Sequence, residues 1–151
     1  MSDEQSESSV RLGVSAVLVR YASGIDRRDW DLFRSCFTPD CTIDYGEIGA
    51  WNGVEEITAF MVAVHEDCGY TLHRISNVAV ERLPDGAQAS SYVDAVIMGP
   101  DNRDGVRAIG FYDDRLVYSH RGGWQIAKRN FTTVHVATVG DSAAAAWQAQ
   151  S

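Results

Sequence analysis

Basic charge is scarce in this chain: 13 Lys and Arg stand against 21 Asp and Glu, a formal net charge of −8 and a pI near 4.8. Phosphate binding needs clustered cations, and the pairs Arg27-Arg28 and Lys128-Arg129 are too sparse to make a patch, so no nucleic acid or anionic membrane partner is expected. Long apolar runs are missing as well; none approaches the roughly 18 residues that a membrane-spanning helix requires. Cysteine is limited to Cys36, Cys41 and Cys68, an odd number with no C-x-x-C spacing. That argues against a disulfide framework and for a reduced, cytoplasmic setting. The opening Met1-Ser-Asp-Glu-Gln-Ser-Glu-Ser-Ser is acidic and polar, the reverse of the basic and then apolar start of a signal peptide. There is no glycine-rich phosphate loop, P-loop or nucleophile elbow. The four histidines show no H-x-x-x-H or paired-carboxylate spacing, so neither a metal nor a cofactor is expected.

What remains is ordinary for one globular domain: 151 residues, 45% hydrophobic and 23% charged. Residues 1–9 read as a disordered leader, 10–137 as the domain and 138–151 as a tail, with a loose helix from Gly140 through Ala143–Ala146 and Trp147. From Val10, the residues Val14, Val17, Leu18, Tyr21 and Ile25 recur at helical spacing. Asp29 opens a second short helix, with Trp30, Phe33 and Phe37 on one side, and Thr38-Pro39-Asp40 stops it. Cys41–Tyr45 alternates like a strand, Gly46–Gly53 looks like a turn or hairpin, and Val54–Glu66 returns to helix. The second half is rich in Val, Ile, Tyr, Phe and Thr over 70–82, 87–98, 106–119 and 124–136. Pro84-Asp85-Gly86, Gly99-Pro100-Asp101-Asn102 and Arg121-Gly122-Gly123 separate these segments as hairpin turns. Helices followed by long sequential strands predict an α+β fold: a curved, mainly antiparallel sheet packed on N-terminal helices and curled into a cone-shaped half-barrel.

Asp26 is the residue that breaks a local rule. It stands where the first helical stripe runs out, and a helix C-terminus disfavours a carboxylate. Either something nearby compensates it, which marks a functional site, or it caps the next short helix. Asp94, in Tyr92-Val-Asp-Ala-Val-Ile, is also open. Facing inward it would be a desolvated acid or base; facing outward it would only partner an Arg. Among the histidines, His65 beside Glu66 and Asp67 reads as a solvated helix C-cap. His120 sits in a turn, and His135 lies late in the last strand. Trp51, in the Gly-rich loop, is the tryptophan best placed to lid a pocket, whereas Trp30 and Trp124 read as core. Cys36 and Cys41 have the apolar neighbourhoods of inert thiols.

Tyr21-Ala-Ser-Gly-Ile-Asp26-Arg-Arg-Asp-Trp30, Phe37-Thr-Pro-Asp-Cys-Thr-Ile-Asp-Tyr45-Gly46, Thr71-Leu72-His73, Ala89-Ser-Ser-Tyr92-Val93-Asp94 and Gly123-Trp124-Gln125-Ile126 together resemble the SnoaL-like group of the nuclear transport factor 2-like superfamily. That group includes polyketide cyclases, scytalone dehydratase and bile-acid 7α-dehydratase. The resemblance covers residues 10–136. It implies that Asp26 at a helix end pairs with His73 on the sheet, and that Tyr21 and Tyr45 polarise a substrate carbonyl. Where scytalone dehydratase has a second pocket histidine, this chain offers Tyr92 and Asp94, nearer to the bile-acid enzyme.

His73, held by Asp26, would then be the proton shuttle. Tyr45 precedes Gly46 at a strand end, from which its phenol could reach into the barrel; Tyr21, Tyr92 and Tyr112 serve equally well as substrate contacts or as core filler. The expectation is a cofactor-independent lyase or isomerase, dehydratase-like, acting on a small hydrophobic oxygenated ring compound, with catalytic Asp26, His73, Tyr45, Tyr21 and Asp94 and substrate contacts Trp51, Tyr92 and Tyr112. The rivals are a non-catalytic ligand-binding or assembly module and an aldol-type cyclase or retro-aldol lyase. The resemblance also implies a homodimer or higher homo-oligomer.

Overall fold

The structure, a computed structural model, describes residues 5–141 and 148–149. Helix α1 (Glu7–Asp26) opens on Ser6, whose hydroxyl accepts the Ser9 N–H at 3.1 Å and so satisfies one of the free donors of the first turn. Residues 7–9, expected to belong to the leader, are therefore the first turn of α1. Its stripe of Val10, Val14, Val17, Leu18, Tyr21 and Ile25 is buried. The helix ends at Asp26, and Arg28 takes a left-handed φ of 55° that turns the chain back. Asp29 then caps α2 (Trp30–Ser35) by accepting the Leu32 N–H at 3.0 Å. Gly24 lets the two helices close: a Cβ there would lie 2.9 Å from the Phe33 backbone nitrogen.

Strand β1 (Phe37–Asp44) begins earlier than the expected Cys41 and runs through Pro39. Pro39 costs the ladder no donor, because the pairing of β1 with its neighbour is interrupted between Phe37 and Thr42. A 3₁₀ turn (Gly46–Ile48) leads into β2 (Ala50–Asn52), which pairs antiparallel with β1. Helix α3 spans Val54–Glu66. The long strands β3 (Thr71–Leu83), β4 (Gly86–Met98), β5 (Asp104–Ser119) and β6 (Gly123–Gly140) form an antiparallel meander.

The six strands make one sheet in the order β2-β1-β6-β5-β4-β3, with β1 parallel to β6. Register shifts at Ser76/Ala79, Ile109/Gly110 and Arg115/Leu116 bend the long strands, since an extra residue sharpens local twist. The result is the α+β fold expected: N-terminal helices against the inner face of a curved, unclosed sheet. Inward positions on β4 alternate as Ala87, Ala89, Ser91, Val93 and Ala95. No helix among the described residues is long and apolar enough to cross a membrane. The expected tail helix through Ala143–Trp147 lies outside the described residues.

Candidate active site

Because Asp29 caps α2, the Asp26 carboxylate is free to turn toward β3. Asp26 Oδ1 stands 2.7 Å from His73 Nδ1 and accepts the Thr71 hydroxyl at 2.9 Å, while Oδ2 accepts the His73 backbone N–H at 2.8 Å. These donors compensate the carboxylate at the negative end of α1. Burial alone would push Asp26 up, but the hydrogen bonds and charge from His73 and the bond from Thr71 outweigh it, leaving the group below its ordinary 3.8. An ionised carboxylate only accepts, so the ring proton sits on Nδ1 and Nε2 is left as the basic atom. Arg28, in its left-handed conformation, completes the frame: it donates to the Ile25 carbonyl at 2.8 Å, the Thr71 hydroxyl at 2.9 Å and the Gly69 carbonyl at 2.7 Å.

His73 lines an apolar cavity of about 280 Å³ together with Tyr21, Tyr45, Met61, Val93 and Phe131. The cavity is open because Ala95 and Ala108, which also line it, face each other across β4 and β5 and leave room between larger neighbours. Three phenols meet at its wall: the Tyr21 hydroxyl is 2.6 Å from that of Tyr45 and 3.5 Å from that of Tyr112. Burial, reinforced by the neighbouring phenols, pushes Tyr45 and Tyr112 well up, so both are neutral donors at ordinary pH. Behind them lies a fully buried ion pair. Arg129 Nε and Nη2 donate to the two Asp114 carboxylate oxygens at 2.7 and 2.8 Å. Its guanidinium lies 4.2 Å from the Tyr21 ring centre and 3.8 Å from that of Tyr112. A cation against a phenol ring draws electron density from it and strengthens the O–H as a donor.

Asp94 and Tyr92 lie on the other face. Val93, Ala95 and Ile97 face the cavity, and the pleat sends their even-numbered neighbours outward. Asp94 takes Nε and Nη2 of Arg107 at 2.8 and 2.7 Å, and this partner holds it below its ordinary value. It is the surface alternative, with no reach into the cavity as a second acid or base. Tyr92 is 54% exposed, beside Phe111. Trp51 packs on Phe60 and Tyr45, behind the wall rather than over the mouth. Cys36 and Cys41 are buried thiols pushed up to about 11 by desolvation. His120 and His135 are exposed.

His65 is corrected the other way: it is buried in the cavity wall, where a solvated cap was expected. Its signal was available, since it follows Met61 by four residues on the buried face of α3. The Asp114–Arg129 pair was also missed. Asp114 is in phase with buried Tyr112 and Leu116, but Arg129 comes into phase only through the bulge near Ala127. Among the described residues no group of three or more His, Cys, Asp or Glu could hold a metal ion.

Helices wrapped by an open curved sheet, with a cavity between them, define the nuclear transport factor 2-like class. Within it, the chain belongs to the SnoaL-like domain family, whose model matches residues 6–130. The uncharacterized protein Rv2910c of Mycobacterium tuberculosis is 32% identical over 127 residues, 82% of this chain and 84% of that protein. Similar solved structures include a candidate scytalone dehydratase of Novosphingobium aromaticivorans, with TM-score 0.77 and 19% identity over 83% of this chain and 85% of that one. The hexachlorocyclohexane dehydrochlorinase LinA-type3 of Novosphingobium barchaimii LL02 matches with TM-score 0.76 and 16% identity, over 85% and 89% of the two chains. Identities this low carry the fold and nothing finer.

Proposed function

We propose that this protein is a cofactor-independent lyase or isomerase that moves a proton on a small hydrophobic, oxygenated ring compound. The observation that carries this reading is His73, held by Asp26 at 2.7 Å and standing at the wall of an apolar cavity that also holds three phenols. An apolar hollow with a few convergent polar groups is the usual form of a small-molecule site. In this reading His73 Nε2 takes a proton from the carbon next to a carbonyl, and Asp26 orients the ring and stabilises the imidazolium that forms. Tyr45, Tyr21 and Tyr112 donate to the developing enolate oxygen, their donor strength raised by Arg129. The proton then returns either to a leaving hydroxyl, releasing water, or to another carbon, completing an isomerisation. The same pair would serve an aldol-type cyclisation, in which the enolate attacks a second carbonyl. The rival, a non-catalytic binding module, is disfavoured because His73, held by Asp26, lines the cavity. A cytoplasmic homodimer is proposed as the working form.

The half-reaction can be followed without knowing the natural substrate. Exchange of the protons next to the carbonyl of 2-tetralone in heavy water, read by proton NMR, isolates the first step. Wild-type protein should accelerate it, and Asp26→Asn should slow that catalysis by a factor of about 10² or more, the ordinary worth of a positioned base, with circular dichroism unchanged. Wild-type exchange in Asp26→Asn would sink the proposed role of the pair, and no acceleration by wild type across a panel of cyclic ketones would favour the binding module.

A further inference from the structure

One polar side chain of the cavity wall has no part in that chemistry. His65 stands in the last turn of α3 with its Nδ1 2.7 Å from the Met61 carbonyl oxygen. A carbonyl only accepts, so Nδ1 carries the proton and Nε2 of the neutral ring carries a lone pair. Burial above all, joined by the charges of Arg28 and His73, holds the imidazole below its ordinary 6.5, although the Met61 bond and Asp26 pull the other way. Trp30 packs on the ring, centroids 5.8 Å apart, and fixes it further. Among the described residues Nε2 has no hydrogen-bond partner. The polar groups lining the cavity therefore differ in kind: the phenols donate, His73 moves a proton, and His65 can only accept.

We propose that His65 Nε2 is an acceptor subsite for a hydroxyl group of the ligand, so that the pocket selects ring compounds carrying a hydroxyl donor in addition to a carbonyl. The carbonyl half of this statement rests on the proposed function; the hydroxyl half rests on His65 alone. A lone pair set into an apolar wall leaves an unmatched polar atom when a ligand without a donor covers it. That mismatch disfavours such a ligand by about tenfold or more.

The test is binding to the full chain, measured by calorimetry, of 2-naphthol and of 2-methoxynaphthalene, which has the same ring but no donor. Wild type should bind 2-naphthol about tenfold tighter. His65→Leu should erase the preference, and His65→Gln, whose amide oxygen accepts, should keep part of it. In wild-type protein with ¹⁵N-labelled histidine, 2-naphthol should move the Nε2 resonance of His65 upfield and 2-methoxynaphthalene should not. This measurement decides the matter by itself if His65→Leu does not fold. A preference that persists in His65→Leu, an unmoved Nε2 resonance, or no binding of 2-naphthol overturns the subsite. Binding is read without turnover, so a naphthol preference in a protein that catalyses no exchange keeps the subsite and discards the lyase reading. Exchange without the preference does the opposite.

Discussion

At the scale of single residues, the ionisable groups of the site are set by their neighbours, and two of them tie stability to pH. Asp26 lies below its ordinary 3.8, so the fold favours its charged form; that contribution is complete above 3.8 and is lost as pH falls through the lower folded value. His65 lies below its ordinary 6.5, so the fold favours its neutral form; that contribution is present above 6.5 and declines as pH falls from there toward the folded value. Urea unfolding of wild type should therefore weaken between about pH 7 and pH 5, and His65→Gln should show a flatter slope over that interval. Equal slopes would mean that His65 takes up its proton as readily in the folded chain as in the unfolded one. Arg129 and Asp114 bear on stability as a pair. Their mutual neutralisation is what allows two charges at 0% side-chain exposure, where either one alone would be strongly destabilising.

At the scale of elements, the site depends on how α1 ends and how β3 meets it. The α1 stripe, the α3 span and the central parts of the four long strands follow from local periodicity and turn chemistry and were legible in the chain, but β6 runs on to Gly140, into the segment expected as tail, because Asp104–Ile109 pairs with it there. The start of β1 was not legible either, because Pro39 signals a helix stop and is tolerated in a strand only where the pairing of β1 with β6 is interrupted. Asp26 faces β3 only because α1 and α2 cross closely at Gly24, with Asp29 taking over the capping role. Gly24→Ala would set a methyl group 2.9 Å from the Phe33 backbone nitrogen. Forced apart, the helices should lose about 1–3 kcal/mol of stability, the usual cost of overpacking, seen as a lower urea midpoint. An unchanged midpoint would show that the crossing relaxes freely.

At the scale of the whole molecule, one face of the sheet is occupied by the helices and cavity, and among the described residues no element covers the other. That outer face exposes Tyr92 and, opposite it in register, Phe111, which form the natural surface for the proposed homodimer, sheet against sheet. Light scattering should report twice the monomer mass, and Tyr92→Glu should shift the population toward monomer by placing a charge in the contact. A wild-type monomer at high concentration would remove the dimer from the proposed working form.

Local patterning by itself determined the α+β order of elements and the meander, because each depends on residues a few positions apart. Asp26 stood out by its helix-end charge, the resemblance paired it with His73 and added Tyr21 and Tyr45, and the structure sets the first two in contact and joins the two phenols by a 2.6 Å hydrogen bond. Only the tertiary structure decided which way side chains face. Asp94 and Tyr92 point outward, and His65, Asp114 and Arg129 are buried. The physical reason is that a strand's inward phase is reset by each bulge and is read only against its partner strand. Arg129 becomes a core residue because Asp114, fifteen positions away, lies opposite it in register.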